Sequence, residues 1–228
     1  MSLYLDTLET LLLDDLYRPY DPAKGWPTHA MSMIGRKRMA DLREACVVAI
    51  AGNVPGAFVE TGIWRGGAVA LMAGVAAEYY PSAGLKREVW GFDSFAGVPP
   101  PSAPQDEGVL LHTFKSLAVP RVEVERNLER LGLLDGVHLV EGWFSETIPA
   151  AAPVVGPIAV LRLDGDLYES TLTALTNLYP QLSLGGYCII DDYGGIPQCR
   201  RAVDDYRARN SILAPMEWSD ADCVWWRK

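Results

Sequence analysis

The chain predicts an α/β fold built on a doubly wound, mostly parallel sheet, on three observations. Short apolar runs recur along it, separated by helical patterning long enough to cross from one strand to the next. Several of these runs stop at an acid or a glycine: Glu60-Thr61-Gly62, Asp93, Glu141-Gly142, Asp164 and Asp191. Open α/β sheets bind ligands outside the carboxyl ends of their strands, so acids gathered there predict a site as well as a fold.

Residues 1 to about 35 read as an arm, an amphipathic start followed by Tyr20-Asp21-Pro22-Ala23-Lys24-Gly25-Trp26-Pro27, which breaks any helix. Helical patterning resumes from Gly35 to Asn53, and Ala57-Phe58-Val59-Glu60 is a short buried strand. A helix follows from about Gly67 to Tyr80, then a second strand from Glu88 to Asp93. Val98 to Val119 is rich in Pro and turn residues, and so long an irregular stretch predicts a lid over residues 98 to 121. A helix at 122 to 132 and a third strand, Val137 to Glu141, come next, then a fourth strand from Ile158 to Leu163. Ser170 is expected to cap a helix to about Tyr179, leading to a strand at 186 to 190. Pro197 suits the first position of a helix to about Arg209, and short strands are expected near 213 to 218 and 222 to 227. No internal repeat divides the 228 residues, which read as one domain.

With 49% hydrophobic residues the chain can fill a sizeable core, and a net charge of −9 argues against nucleic acid or an anionic membrane as partner. The Leu11-Leu12-Leu13 run sits among Asp6, Glu9, Asp14 and Asp15, unlike a secretory signal, and nothing approaches the ~18 apolar residues of a membrane span. Cys46, Cys188, Cys199 and Cys223 have no C-x-x-C spacing and read as core thiols of a cytoplasmic protein. His29, His112 and His138 lack the close pairing of a zinc site.

The chemistry sits in Asp164-Gly165-Asp166 and Asp191-Asp192, each following an apolar strand. A lone Asp there is ordinarily a turn or a cap, but turns do not require two acids on each of two strands. If the strands are parallel neighbours, ~4.8 Å apart, all four carboxylates open on one crevice. Their repulsion then calls for a counter-cation, and oxygen-only donors suit a hard ion such as Mg²⁺ or Ca²⁺. Glu60-Thr61-Gly62-Ile63-Trp64-Arg65-Gly66-Gly67 reads as a ligand loop at a helix start. Trp64 stands where G-x-G-x-x-G needs a bare glycine for a pyrophosphate, which disfavours a nicotinamide cofactor and suits a nucleoside without phosphates. Asp93 is placed to accept from a ribose diol, and Glu141-Gly142-Trp143-Phe144 offers a carboxylate, a close backbone and aromatic faces to an adenine.

Taken together, Phe58-Val59-Glu60-Thr61-Gly62-Ile63-Trp64-Arg65-Gly66-Gly67, Glu141-Gly142-Trp143-Phe144, Asp164-Gly165-Asp166-Leu167-Tyr168-Glu169-Ser170-Thr171 and Ile190-Asp191-Asp192-Tyr193-Gly194 resemble the macrocin O-methyltransferase family. The resemblance extends to Met33-Ile34-Gly35-Arg36-Lys37-Arg38 and to Leu111-His112-Thr113-Phe114 in the lid. It implies a Rossmann-like class I methyltransferase sheet, S-adenosylmethionine and Mg²⁺ as cofactors, and methyl transfer to a sugar hydroxyl of a glycosylated bacterial natural product. It also implies Asp164, Asp191 and Asp192 as Mg²⁺ ligands and Asp166 as general base. The cofactor would be held by Ser32, Met33, Glu60, Thr61, Gly62, Asp93, Ser94, Glu141, Gly142 and Trp143. The chain departs from the family at Met31, where a His is expected, and at Pro120-Arg121. The same chemistry could serve a catechol or another vicinal diol, and an arm this long predicts a homo-oligomer. A catalytically silent sheet domain would not need the complete acid set.

Overall fold

The computed structural model describes residues 2–14, 26–80 and 87–228. Helix α1 (Leu3–Leu12) and helix α2 (Gly35–Ala51) precede strand β1 (Ala57–Thr61), helix α3 (Gly67–Tyr79) and strand β2 (Val89–Asp93). Helix α4 (Arg121–Arg130), strand β3 (Val137–Glu141), helix α5 (Phe144–Val155), strand β4 (Ile158–Leu163) and helix α6 (Tyr168–Leu178) follow. Strand β5 (Leu182–Ile190), helix α7 (Pro197–Arg209), strand β6 (Glu217–Trp218) and strand β7 (Val224–Arg227) complete the chain. The sheet runs β3-β2-β1-β4-β5-β7-β6. Its first five strands are parallel, and β7 pairs antiparallel with both β5 and β6. Leu5, Met39, Val69 and Leu128, from α1 to α4, are buried in one apolar layer; Ile148, Leu175 and Val203, from α5 to α7, are buried in the other. β1 and β4 are buried along their whole length, as parallel strands covered on both faces must be.

The amino-terminal segment differs from the arm expected. Leu5, Leu8 and Leu12 of α1 are buried, Gly74 leaves room for Leu8, and Arg43 of α2 pairs with Asp6 and Glu9. The first helix is therefore part of the core, because its apolar stripe finds a facing groove. Most of the helix-breaking segment, residues 20 to 25, lies outside the described residues.

Helix α5 falls where the sequence reading assigns no element, and Pro149 and Pro153 both lie inside it. Ile148, Ala152 and Val155 nonetheless share a buried face, and packing of that face outweighs the bonds the prolines cannot make. Strand β5 starts at Leu182, before the Gly185-Gly186 pair that masks its beginning.

Helix α6 begins at Tyr168, so Ser170 lies in its first turn and is not the cap. The capping carboxylate comes from the lid. Asp106, fully buried, accepts from the backbone N–H of Tyr168 at 2.7 Å and of Glu169 at 3.1 Å. The lid, which carries single 3-10 turns at Pro104–Asp106, Leu111–Thr113 and Lys115–Leu117, is thus pinned at its base to the helix that follows Asp166. Asp106→Ala is expected to lower the unfolding free energy by about 1–3 kcal/mol, the worth of a lost cap plus two orphaned donors. Urea denaturation reads this directly, and an unchanged midpoint would remove the cap from the account.

Candidate active site

The strand order reverses between β1 and β4, where the chain leaves β1 for β2 on one side and enters β4 for β5 on the other. A crevice opens at the carboxyl ends of such a pair. Here it is a cavity of about 640 Å³, floored by Glu60, Arg162, Asp164 and Asp191 and walled by residues of the arm, lid and α2.

The loop after β1 is built by close backbone approach. Gly62 has φ +81°, and a Cβ on it would lie 1.8 Å from the carbonyl oxygen of Asp164. The loops after β1 and β4 therefore touch, which only glycine permits. A Cβ on Gly67 would meet the Met31 carbonyl and the Ser32 side chain at 2.6 Å, so residues 31 and 32 close directly over the start of α3. Arg65 extends that contact by donating to the carbonyls of Pro27 and Ala30, both at 3.0 Å, while the Trp64 indole donates to the lid carbonyl of Ser116 at 2.9 Å.

Among the residues expected to hold a cofactor, Ser32, Met33, Glu60, Gly62, Asp93, Ser94 and Trp143 line the cavity. Asp93 also braces the loop. Its carboxylate accepts from the N–H groups of Ile63 (2.8 Å), Trp64 (3.3 Å) and Phe95 (2.7 Å), using about three of its four lone-pair sites. Thr61, Glu141 and Gly142 are not among the lining residues. Thr61 is wholly buried within the sheet, and the half-exposed Glu141 lies 3.7 Å from Arg121. Gly142 spends its N–H on the Asp93 carbonyl at 2.9 Å. His112 is exposed and likewise absent from the lining.

Strands β4 and β5 are parallel neighbours, with Leu163 opposite Ile190, so the acids that follow them share one edge. Carboxylate oxygens of Asp164, Asp166 and Asp192 lie within 4.8 Å of one another. Asp166 holds a left-handed backbone (φ +57°), unusual for a residue with a Cβ, which turns its carboxylate back toward the other two. One oxygen of Asp192 is buried without a hydrogen-bond partner. Burial and the charges of the neighbouring aspartates push the carboxyl of Asp164 up to about 6 and that of Asp166 up to about 7, and raise Asp192 as well.

The trio differs from the set implied by the resemblance, because Asp166 takes the place of Asp191. Both oxygens of Asp191 are held by guanidinium groups, Oδ1 by Arg162 at 2.5 Å and Oδ2 by Arg38 at 2.7 Å. Arg162 also pairs with Glu60, and with Asp164 at 2.9 Å; Arg38 pairs with Asp220 and Asp222 at 2.6 and 2.9 Å. Neither arginine, nor Asp220 and Asp222, stood out as functional from sequence. The available signal was Arg162 itself, a charge inside the otherwise apolar strand Ile158-Ala159-Val160-Leu161-Arg162-Leu163.

These residues fit both groups implied by the resemblance. The three convergent carboxylates, with an unsatisfied oxygen on Asp192, form an all-oxygen donor set for a hard divalent cation. The unpartnered Glu60 Oε2, in a residue that lines the cavity beside the loop, suits a ligand that brings a donor.

Comparison with known proteins agrees with the fold. A family model described as macrocin-O-methyltransferase matches residues 17–228. The chain is 41% identical to demethyldecarbamoylnovobiocin O-methyltransferase of Streptomyces niveus, over 100% of this chain and 94% of that one. It is 43% identical to the 8-demethyl-8-(2,3-dimethoxy-alpha-L-rhamnosyl)-tetracenomycin-C 4'-O-methyltransferase of Streptomyces olivaceus, over 99% and 92% of the two chains. The solved structure of the O-methyltransferase NovP superposes with a TM-score of 0.93 at 42% identity, covering 99% of this chain and 98% of that one.

Proposed function

The chain belongs to the macrocin O-methyltransferase family and is an S-adenosylmethionine-dependent O-methyltransferase; from that premise we propose that it methylates a sugar hydroxyl of a glycosylated natural product in a reaction that requires Mg²⁺. The observation that carries the metal requirement is the cluster of Asp164, Asp166 and Asp192 at the mouth of β4 and β5. The names of the relatives support the acceptor class, since one acts on a rhamnosyl-tetracenomycin.

Asp164 and Asp192 belong both to the cluster in the structure and to the set implied by the resemblance, and we assign the ion to them. Mg²⁺ is commonly held by one or two carboxylates and otherwise by water and substrate oxygens. When bound, it would lower the pKa of a hydroxyl offered by a pair of adjacent sugar oxygens. Asp166 borders the Asp164 and Asp192 carboxylates and takes the hydroxyl proton. As it does so the acceptor oxygen forms a bond to the methyl carbon, the carbon–sulfur bond of the sulfonium breaks, and S-adenosylhomocysteine leaves. Burial raises this carboxyl above the ordinary carboxylate range, which strengthens it as a proton acceptor. Glu60, Gly62 and Asp93, with Ser32 and Met33, hold the donor against the loop.

Residues 26–34 and the lid exclude water from this chemistry. Trp26 of the arm and Phe114 of the lid meet edge to face, with ring centroids 5.3 Å apart, and Leu111 and Leu117 line the cavity beneath. This apolar rim suits an aglycone, as the cluster of Asp164, Asp166 and Asp192 suits a diol. A second reading makes Asp166 the third ion ligand, because its oxygen lies in the same cluster.

Incubation with S-adenosylmethionine, Mg²⁺ and a panel of glycosides and catechols, followed by mass spectrometry, tests the proposal. A gain of one methyl on a glycoside, mapped to the sugar, is expected. Methylation of catechols with all glycosides untouched would move the acceptor to a non-sugar diol.

A further inference from the structure

Burying an ionised group is costly unless every charge is met, so a buried arginine shared among three carboxylates calls for an explanation beyond stability. Arg162 is 1% exposed. In the sheet it stands directly opposite Glu60 in register, with β1 on one side and β5 on the other. Its Nη1 serves two carboxylates at once, Glu60 at the cofactor loop and Asp164 in the acid cluster at 2.9 Å, and its Nη2 serves Asp191 at 2.5 Å. Burial alone would lower the affinity of this guanidinium for its proton, but Asp191, Asp164 and Glu60 more than offset that and keep it charged. The planar fork thereby fixes three carboxylates from three strands in one frame, which a lysine's single ammonium could not do.

Glu60 faces both ways. One oxygen is bound to Arg162, and the other is buried, without a hydrogen-bond partner, in a residue that lines the donor side of the cavity. A ligand donor that engages the free oxygen fixes Glu60, which fixes the Nη1 shared with Asp164, and so pre-organises a carboxylate of the ion cluster.

We propose that Arg162 is a positioning residue that couples the two halves of the site, so that occupancy of the cofactor loop tightens divalent-ion binding at Asp164 through the shared guanidinium. The inference rests on the assignment of the ion to Asp164 and Asp192. It makes the methyl donor and the ion partners in assembly, with the ion seat completed only once the donor is in place. By linkage the same factor applies in reverse, and Mg²⁺ tightens the donor site.

Titration calorimetry with MgCl₂, in the absence and presence of saturating S-adenosylhomocysteine, tests the coupling without turnover. Wild-type protein is expected to bind Mg²⁺ at least about threefold more tightly with the nucleoside present, within the usual range of coupling between sites. In Arg162→Lys, which keeps the charge but loses the fork, that ratio falls to about one and Mg²⁺ affinity itself drops about tenfold. Glu60→Gln still offers Arg162 an acceptor and serves if the lysine variant does not fold; its ratio also falls to about one. A ratio that survives in Glu60→Gln, or wild-type uptake indifferent to the nucleoside, overturns the coupling while leaving the ion assignment standing. Wild-type protein that takes up no Mg²⁺ overturns both.

Discussion

Asp166→Asn is expected to lower kcat by about 10²- to 10⁴-fold while S-adenosylhomocysteine affinity stays within about twofold of wild type. Asparagine keeps the size and the left-handed backbone preference of the residue, since Asn and Asp share that tolerance, and removes only its ability to take a proton. The separation of effects follows from placement. Asp166 sits with Asp164 and Asp192, whereas the cofactor loop is braced by Asp93 and by Glu60 on Arg162. Mg²⁺ affinity in the same variant distinguishes the two roles open to it: unchanged affinity leaves Asp166 as base, and a loss of tenfold or more makes it a ligand. The pH profile adds a check. Burial and the charges of Asp164 and Asp191 raise the carboxyl in the ion-free protein and a bound cation lowers it, so the wild-type rate should climb as pH rises and Asp166 ionises, with a midpoint below that of the ion-free group, and the ascending limb should vanish in the variant. A variant with near wild-type turnover would take proton transfer away from Asp166 altogether.

Much of this site was legible because strand ends are local. The apolar runs at residues 57–61, 89–93, 137–141 and 158–163 are short and sharply bounded, and in parallel strands the residue after each run opens on the carboxyl edge. Two doublets of acids on two such strands already implied a shared crevice, and β4 beside β5 supplies it. What escaped was non-local. Helix α5 drew no assignment from sequence; Pro149 and Pro153 lie inside it, and the surface that stabilises it comes from β2 and α6. Asp106 caps α6 from 62 residues upstream, so the nearer Ser170 drew the assignment. The guanidinium groups that hold Asp191 were equally non-local, since Arg38 lies 153 residues from Asp191 in the chain.

Removal of divalent ions should abolish methyl transfer and, separately, reveal how the acid cluster weighs on the fold. Without a cation, burial and mutual repulsion lift Asp164 to about 6, Asp166 to about 7 and Glu60 to about 8, and raise Asp192, all above ordinary carboxyl values. A group whose folded pKa is raised supports the fold fully below its unfolded value, near 4 for Asp and Glu, and loses that support as pH climbs through the folded value. The metal-free protein should therefore lose stability from these groups progressively between about pH 4 and pH 8. Mg²⁺ reverses the trend: ion binding requires ionised carboxylates, so protons defeat it at pH 5.5 and yield to it at pH 8.5. At a hundred times its dissociation constant the ion adds about 2.7 kcal/mol. For a chain of this size that corresponds to a rise of about 5–10 °C in Tm. Thermal unfolding with chelator and with excess Mg²⁺ should show that rise at pH 8.5 and almost none at pH 5.5. In Asp192→Asn, which lacks one of the two carboxylates assigned to the ion, the rise at pH 8.5 should shrink. Curves that coincide at pH 8.5, or a chelated enzyme that still turns over, would mean that the carboxylates of β4 and β5 do not meet across a metal ion.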